Sequence, residues 1–257
     1  MIRYPKIIAH RCGGALAMEN SLAGLLAAKR TGCRAVEFDV MLTADRIPIL
    51  MHDVTLDRTT LCRGEVAAMT LDEIRACDPR VPTLSEAIGL CERLGLWVNV
   101  ELKPTPQSDE ETGAVVGNWL ARHWHGQGVI SSFSEKAALA ARQSLLTAET
   151  AFVEAHVSEA NVMPEQKAAL AARHELPRAA FALLCDVLPT DWQARMERLG
   201  AVAVHLNAHR VEEAVARQLG AAGVPWAAWT VDEAALAERM FALGAAAIFT
   251  DRPERFC

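Results

Sequence analysis

The sequence predicts an α/β fold, and within that class a TIM (β/α)8 barrel, from two observations. Eight short runs rich in β-branched and apolar residues alternate with longer alanine- and leucine-rich stretches of helical period. The chain has 257 residues, and about 250 residues is the usual length of eight strand–helix units. A doubly wound open sheet is the main alternative, but it usually has fewer strands, and no Gly-x-Gly-x-x-Gly motif follows the first run.

The elements are expected to alternate in order along the chain. Strands are predicted at 6–10, 35–40, 97–102, 129–133, 180–184, 202–206, 225–229 and 247–250. Helices are predicted at 20–31, 84–95, 110–124, 135–143, 191–199, 211–220 and 233–243. Several of these helices end at a glycine, such as Gly95 and Gly200, which is typical of helix C-termini.

Two segments are in excess of this alternation. Residues 53–81, after the second strand region, are interpreted as a short insertion that contains a helix around 70–76. Residues 149–177 are an extra segment, and within it 167–173 repeats the letters of 136–142. A local duplication that adds a helix outside the barrel would explain the repeat, and so would chance similarity between two alanine-rich helices.

Composition and charge narrow the class of protein. Hydrophobic residues make up 51% and charged residues 23% of the chain, which is typical of a globular protein. No low-complexity linker divides residues 1–257, so a single domain is expected. The 26 basic and 32 acidic side chains give a net charge of −6 without basic blocks, which argues against a nucleic-acid partner. No run of 18 uncharged apolar residues occurs, so no stable membrane association is expected.

The cysteines and the first residues predict a cytoplasmic protein. The seven cysteines are odd in number and lack Cys-x-x-Cys spacing, so we expect reduced thiols and neither a disulfide framework nor a zinc site. The first six residues lead directly into a strand-like run, which leaves no room for a signal peptide.

Acidic side chains stand at the ends of two predicted strands. Residues i and i+2 of a strand face the same side, so Glu37 and Asp39 share a face, as do Glu101 and Lys103. In a barrel these positions converge at the C-terminal rim, where three carboxylates would repel one another and raise their own pKa values. A bound Mg²⁺ or Ca²⁺ would remove this conflict, because hard cations prefer oxygen ligands. Pairing of the acids with arginine or lysine at the rim is the alternative.

Two histidines also follow predicted strand segments. His10 ends the first strand, and His52 ends a short run after the second. Near neutral pH, such a pair can divide the work of general base and general acid. Arg11 and Lys103 add two cations beside the acids, which suits a phosphate group. These residue types together indicate metal-assisted phosphoryl chemistry.

Several runs, in order along the chain, resemble the glycerophosphodiester phosphodiesterase family, and in particular its short cytoplasmic bacterial members. These runs are Ala9-His-Arg11 with Glu19-Asn-Ser21, Ala35-Val-Glu-Phe-Asp-Val40, Ile49-Leu-Met-His-Asp53, Asn99-Val-Glu-Leu-Lys-Pro104, Pro82-Thr-Leu84, Ser131-Ser-Phe133, Trp229-Thr-Val-Asp232 and Thr250-Asp-Arg-Pro253. The resemblance implies a TIM barrel enzyme that hydrolyses small glycerophosphodiesters, such as glycerophosphocholine or glycerophosphoethanolamine, to sn-glycerol 3-phosphate and an alcohol in glycerophospholipid breakdown.

The resemblance also implies a role for each candidate residue. By position, these are His10 and His52 for acid–base catalysis, Arg11 and Lys103 for the phosphate, Trp229 for the glycerol or head group, and Glu37, Asp39 and Glu101 for one divalent cation, Mg²⁺ or Ca²⁺. A rim aromatic that only shapes the barrel is the alternative for Trp229. Two other functions are considered. A lysophospholipase D or phosphoinositide-type phosphodiesterase would be favoured by an exposed apolar or basic loop around the mouth, and no such loop is evident outside 53–81 and 149–177. The presence of both histidines and all three acids argues against a non-catalytic phosphodiester-binding barrel.

Three positions depart from the family pattern. Cys12 and Arg46 stand where family members usually have glycine, and Met18 where they usually have proline. If the backbone at position 12 has a positive φ, Cys12 is expected to strain the loop beside His10.

Overall fold

A closed barrel of eight parallel strands forms the centre of the structure, a computed structural model that describes residues 3–105, 107–157 and 180–257. Eight barrel strands and one additional strand, β3, occur in the described residues: β1 Ile7–Ala9, β2 Ala35–Leu42, β3 Pro48–Leu50, β4 Trp97–Leu102, β5 Gly128–Ser132, β6 Ala180–Cys185, β7 Ala201–Asn207, β8 Trp226–Trp229 and β9 Ala247–Thr250. The helices of the described residues are α1 Leu22–Arg30, α2 Leu71–Cys77, α3 Leu84–Leu94, α4 Asp109–His123, α5 Glu135–Val157, α6 Trp192–Leu199, α7 Glu213–Ala221 and α8 Ala234–Ala242. The predicted TIM barrel is confirmed.

The pairing of the first and last strands closes the barrel. β1 pairs in parallel with β2 at Ala9 and Val36, and with β9 along its whole length. β3 lies outside this cycle and pairs antiparallel with the end of β2, where Val40 is opposite Leu50. The ends of β1, β2 and β9 are thereby brought together at one rim, with β3 beside them.

Side chains that face the barrel interior change from apolar to polar along β2 and β4. Ala35 and Trp97, at the starts of β2 and β4, belong to an apolar cluster that fills the lower barrel. Two and four residues further on, the same faces carry Glu37 and Asp39 on β2, and Asn99 and Glu101 on β4. The apolar lower layers therefore support a polar layer at the C-terminal rim.

The predicted insertion forms a small unit beside β3. It contains α2, as expected, and its apolar side chains pack with those of β3 in a separate cluster that includes Ile49, Leu56, Val66 and Ile74. Thr70 begins α2 as an N-cap in a capping box with Glu73.

The expectation of seven reduced cysteines is wrong at two positions. Cys62 and Cys77, both in the insertion, are joined by a disulfide with their Cα atoms 5.6 Å apart, whereas Cys12, Cys33, Cys91, Cys185 and Cys257 are free. The two residues meet because the chain folds back through α2, and the spacing of cysteines in the sequence does not reveal this turn.

One helix is longer than predicted. α5 begins at Glu135 as expected but continues past 143 to Val157, because residues 144–157 contain no glycine or proline that would end it. Residues 158–177 of the predicted extra segment, including the second copy of the repeat, lie outside the described residues. In the part of the chain that is described, no helix has both the length and the apolar character needed to cross a membrane.

Candidate active site

A cavity of about 260 Å³ opens at the C-terminal ends of the barrel strands. It is lined by every candidate residue named from the sequence: His10, Arg11, Glu37, Asp39, His52, Glu101, Lys103 and Trp229. Five strands and the loops after them supply these side chains, and closure of the barrel with β3 beside β2 brings them together.

The three acidic residues form one buried cluster. Glu37, Asp39 and Glu101 each place a carboxylate oxygen within 4.8 Å of the other two. The spacing of i and i+2 on β2 and the pairing of Asp39 with Glu101 across β2 and β4 produce this cluster. Burial and the charge of Asp39 raise the pKa of Glu37 to about 8 and that of Glu101 to about 7.

A divalent cation fits this cluster on the geometry of its donors. Glu37 Oε2 accepts a hydrogen bond from the backbone N–H of Arg11 at 2.8 Å, while its buried Oε1 has no hydrogen-bond partner within the described ranges. Asn20 donates to Asp39 Oδ2 at 2.8 Å and accepts from the Asp39 N–H at 3.1 Å, which fixes the orientation of that carboxylate. Oriented carboxylates at this separation are ligands that Mg²⁺ or Ca²⁺ prefers.

Two cations flank the acidic cluster. Lys103 Nζ lies 3.2 Å from Glu101 Oε1 and 3.6 Å from Asp39 Oδ1. Arg11 Nη1 donates to Glu19 at 3.1 Å, and Arg11 Nε lies 3.8 Å from Asp39 Oδ2. The acids are therefore paired with cations at the rim, as the alternative prediction has it. The same two cations also line the cavity, where they could bind an anionic group.

Each histidine is held by an aspartate. His10 Nδ1 donates to Asp251 Oδ1 at 2.8 Å, and His52 Nδ1 donates to Asp53 Oδ1 at 2.7 Å, because an ionised carboxylate only accepts. The other ring nitrogen, Nε2, is left for chemistry in the cavity, and that of His10 lies 3.8 Å from Glu37 Oε2. Burial lowers the pKa of His10, but in the metal-free site Asp251 and the uncompensated charges of Glu37 and Asp39 outweigh it and raise the value to about 9. A divalent cation on these acids would offset their share of the increase and favour the neutral imidazole that a general base requires.

The loop after β1 has the strained backbone expected at Cys12. Cys12 has φ 76° and Arg11 has φ 48°, both in the left-handed region that glycine prefers. The Cys12 side chain is fully buried, and its N–H donates to the backbone carbonyl of Glu37 at 2.6 Å. This turn directs the Arg11 N–H onto the Glu37 carboxylate.

Two aromatic side chains lie on one side of the cavity. Trp229 and Phe133 pack edge to face, with ring centroids 5.5 Å apart. Phe133 is 53% exposed, and Lys103 Nζ lies 5.9 Å from its ring centroid. Trp229 Nε1 is buried and lacks a hydrogen-bond partner among the residues that the structure describes. The ring of Trp229 lines the cavity, where it can contact a bound molecule as well as shape the rim.

Four polar residues that hydrogen bond to candidate side chains were not singled out from the sequence. They are Glu19, Asn20, Asp53 and Asp251. All four lie within runs that carry the family resemblance. Asp53 directly follows the candidate histidine His52, and Asp251 directly follows the predicted strand 247–250. These positions are a sequence signal that could identify both aspartates as site residues.

Comparison with known proteins agrees with this geometry. Residues 10–255 match the glycerophosphoryl diester phosphodiesterase family model. A phosphodiesterase of Oleispira antarctica, solved in complex with the product sn-glycerol-3-phosphate, is 29% identical, with a TM-score of 0.79 over 98% of this chain and 94% of that one. A glycerophosphodiester phosphodiesterase of Caldanaerobacter subterraneus subsp. tengcongensis is 27% identical over 264 residues, covering 96% of this chain and 94% of that protein.

A shorter match is found with a mammalian protein. Mouse glycerophosphodiester phosphodiesterase 1 is 38% identical over 109 residues, which cover 37% of this chain and only 33% of the mouse protein. The family match, in contrast, runs from His10 through the last strand of the barrel. The chain belongs to the glycerophosphoryl diester phosphodiesterase family.

Proposed function

We propose that this protein is a metal-dependent enzyme that hydrolyses glycerophosphodiesters, such as glycerophosphocholine and glycerophosphoethanolamine, to sn-glycerol 3-phosphate and an alcohol in glycerophospholipid breakdown. The observation that carries the proposal is the single cavity in which three buried carboxylates, two cations and two aspartate-held histidines meet. Family membership and the product bound to the Oleispira antarctica relative support the same substrate class.

The acidic cluster and the two cations would bind the phosphate. Glu37, Asp39 and Glu101 would hold one divalent cation, Mg²⁺ or Ca²⁺, which supplies positive charge to the phosphoryl oxygens. Lys103 and Arg11 would add direct contacts with those oxygens, and they lie on two sides of the acids. Positive charge from several directions stabilises the charge that develops on the phosphoryl group in the transition state.

The two histidines would move the protons. We assign His10 as the general base, whose Nε2 takes a proton from the attacking hydroxyl, and His52 as the general acid, whose Nε2 gives one to the oxygen of the leaving alcohol. The Nδ1 contacts with Asp251 and Asp53 support this assignment, because they leave Nε2 of each ring for the exchange. The attacking hydroxyl belongs to water or to the neighbouring carbon of the substrate glycerol.

The glycerol or the head group would pack on the aromatic side of the cavity. Trp229 offers its ring, and Phe133 extends the same apolar surface towards solvent. One side of the cavity carries acidic and basic side chains, and the other side is aromatic. This arrangement suits a small substrate in which a charged phosphate is attached to an apolar or hydroxylated group.

We also propose that the protein acts in the cytoplasm. The five free thiols support this location, whereas the Cys62–Cys77 disulfide is of a kind that is uncommon there. Alkylation of the thiols at the moment of cell lysis, followed by mass measurement, gives the state of this pair in the cell. Recovery of the protein in an oxidising compartment would contradict the proposal.

A second candidate function, hydrolysis of lysophospholipids, has one observation in its favour. Apolar side chains on loops at the mouth of the barrel are exposed: Leu61 by 70%, Phe133 by 53%, Met18 by 49% and Val54 by 44%. Such side chains can contact an acyl chain. The comparison of glycerophosphocholine with lysophosphatidylcholine as substrates decides between the two, and faster turnover of the lipid would replace the first proposal.

Turnover of glycerophosphocholine with and without EDTA tests the main proposal. We expect release of sn-glycerol 3-phosphate and choline that stops with EDTA and returns with added Mg²⁺ or Ca²⁺. Binding of glycerol phosphate without any turnover would support a non-catalytic barrel. Full activity after removal of metal, with no ion detected by elemental analysis, would contradict the metal-dependent mechanism.

A further inference from the structure

Arg58, in the insertion, connects Asp53, beside His52, with Glu19, beside Arg11. Its Nε donates to Asp53 Oδ2 at 2.6 Å and its Nη2 donates to Asp53 Oδ1 at 3.0 Å. The same guanidinium donates from Nη1 to Glu19 Oε2 at 2.8 Å and from Nη2 to Glu19 Oε1 at 2.7 Å. It thus holds both oxygens of two carboxylates from different parts of the chain.

The two carboxylates each contact one candidate functional side chain. Asp53 Oδ1 also accepts the hydrogen bond from His52 Nδ1, and Glu19 also accepts the hydrogen bond from Arg11 Nη1. A continuous series of hydrogen bonds therefore runs from His52 through Asp53, Arg58 and Glu19 to Arg11.

The geometry of this series restricts the side chains at its ends. A guanidinium that binds a carboxylate through two parallel bonds fixes the plane of that carboxylate as well as its position. With the plane of Asp53 fixed, the direction from Oδ1 to the His52 ring is fixed too, and this direction determines where Nε2 points in the cavity. Glu19 shares its charge between Arg58 and Arg11, so Arg11 is oriented without being held by a full ion pair of its own.

The Arg58 side chain is 48% exposed, so its ion pairs contribute little to the stability of the fold. A residue with four hydrogen bonds at the mouth of a site and little part in the core is better explained by positioning than by folding.

We propose that Arg58 is a positioning residue, which sets the direction of the His52 ring for proton donation and tunes Arg11 for phosphate binding. The inference rests on the proposed function for the roles of His52 and Arg11. It gives the insertion a role in the active site, because the insertion supplies Arg58 to a site whose other side chains come from the barrel strands, β3 and their loops.

The experiment compares Arg58→Met with two other variants, Arg58→Lys and Arg63→Met. Arg63 is the matched control, because it lies in the same insertion, is 72% exposed and contacts Asp57 and backbone carbonyls rather than the site. Its removal changes the net charge by the same amount. Turnover is measured on glycerophosphocholine and on a nitrophenyl ester of glycerol phosphate, and affinity is measured with inorganic phosphate.

We expect Arg58→Met to lose about 10²-fold in kcat on glycerophosphocholine, since misplacement of a reacting group by about 1 Å has effects of this size. The loss should be much smaller on the nitrophenyl ester, whose good leaving group hardly needs an acid. Inorganic phosphate should bind more weakly, because Glu19 then pairs fully with Arg11 and draws it from the cavity. Arg58→Lys should recover part of the rate, and Arg63→Met should match the wild type in all three measurements.

Equal losses on both substrates, unchanged phosphate affinity, or a fall in activity that follows a fall in melting temperature would each overturn the proposal. A double variant of Arg58→Met with Asp53→Asn adds a second check, because two residues of one series should lose far less together than the product of their separate losses. Absence of turnover in the wild type would instead contradict the proposed function, and phosphate binding would still report on the link from Arg58 through Glu19 to Arg11.

Discussion

His10 and Asp251 are hydrogen bonded through Nδ1 and Oδ1 at 2.8 Å, although 241 positions separate them along the chain. The contact forms because β1 and β9 are neighbours in the closed barrel and end at the same rim. Asp251 is in turn fixed by Asp232, whose Oδ1 accepts from the Asp251 N–H at 2.7 Å and from the Thr250 hydroxyl at 2.9 Å. The orientation of the proposed base is therefore set by barrel closure.

Replacement of Asp251 by alanine should lower kcat on glycerophosphocholine by about 10²-fold or more, the usual effect of disturbing a general base. The affinity for Mg²⁺ should stay unchanged, because Asp251 is outside the acidic cluster. Steady-state kinetics and metal titration measure the two effects. Glu254→Ala, three residues further along the same rim, is the control and should behave as the wild type. Normal turnover in Asp251→Ala would contradict a role in orienting His10.

The metal-free protein should lose stability as pH rises from 5 to 8. The pKa values of Glu37, about 8, and Glu101, about 7, both lie above the ordinary value of 4.5 in the folded protein. A carboxyl with a raised pKa in the folded state holds a proton that the unfolded chain has already lost, so stability present at low pH is lost as pH rises through that pKa. Melting temperatures at several pH values, with EDTA and with Mg²⁺, test this expectation.

Added Mg²⁺ should abolish most of this loss of stability, because it replaces the protons on the cluster. Glu101→Gln is the matched variant: it removes one charge from the cluster at nearly constant volume. We expect it to be more stable than the wild type in EDTA at pH 8, to gain little from Mg²⁺ and to lack turnover. A metal-free melting temperature that is constant from pH 5 to 8 would show that the cluster carries no unfavourable charge.

His10 and His52 should respond differently to a substrate with a good leaving group. Each alanine variant should lose about 10²–10⁴-fold on glycerophosphocholine. On a nitrophenyl ester the leaving group needs no proton, so His52→Ala should recover much of its rate and His10→Ala little. Because both residues act in one step, the double variant should lose less than the product of the two losses. Rescue of His10→Ala alone would reverse the assignment of base and acid.

Arg11→Ala should weaken inhibition by inorganic phosphate together with turnover. The guanidinium faces the cavity and is partly exposed, so its loss should change the free energy of unfolding by less than about 1–2 kcal/mol. Inhibition constants and urea denaturation give the two quantities. Arg63→Ala, which leaves the site intact, should change neither. A strongly destabilised Arg11→Ala protein with normal phosphate inhibition would mean that Arg11 serves the fold.

Arg46→Gly should stabilise the protein by about 0.5–1 kcal/mol. Arg46 has φ 62°, in the left-handed region, where a residue with a Cβ costs about 1–2 kcal/mol. The greater freedom of glycine in the unfolded chain offsets part of that gain. Arg46→Ala is the control, since it removes the exposed ion pair with Glu111 and keeps the backbone strain. Urea denaturation should rank glycine above both arginine and alanine, and equal stability of glycine and alanine variants would contradict the argument.

The sequence alone predicted the parts of this molecule that depend on local pattern. The strands 97–102 and 247–250 have the predicted bounds, because each is a short apolar run between clear helix and turn signals. β3 was seen only as a short run, since three residues are too few for a periodic pattern. The predicted end of α5 at 143 is wrong, because no glycine or proline in 144–157 marks an end and the alanine-rich pattern weakens beyond 143 without a defined boundary.

In the candidate site too, local sequence pattern predicts some features, whereas contacts between distant segments are not predicted. The acids on β2 and β4 follow from the two-residue period of a strand, and all eight candidates line one cavity. The contacts of Asp251 with His10 and of Arg58 with Glu19 join distant segments, so no spacing rule identifies them. The Cys62–Cys77 disulfide depends in the same way on how the insertion folds back.

The position of β3 outside the parallel barrel affects how the molecule should lose activity. The insertion and Ile49 of β3 pack in a cluster of their own, and β3 joins the main core through Leu50. Such units often open separately in native-state hydrogen exchange. His52 would leave the site with this unit, while Glu37, Asp39 and Glu101 would stay on the barrel strands. On mild heating, inactivation should therefore precede global unfolding and leave a folded protein that still binds the proposed cation but lacks the proposed proton donor.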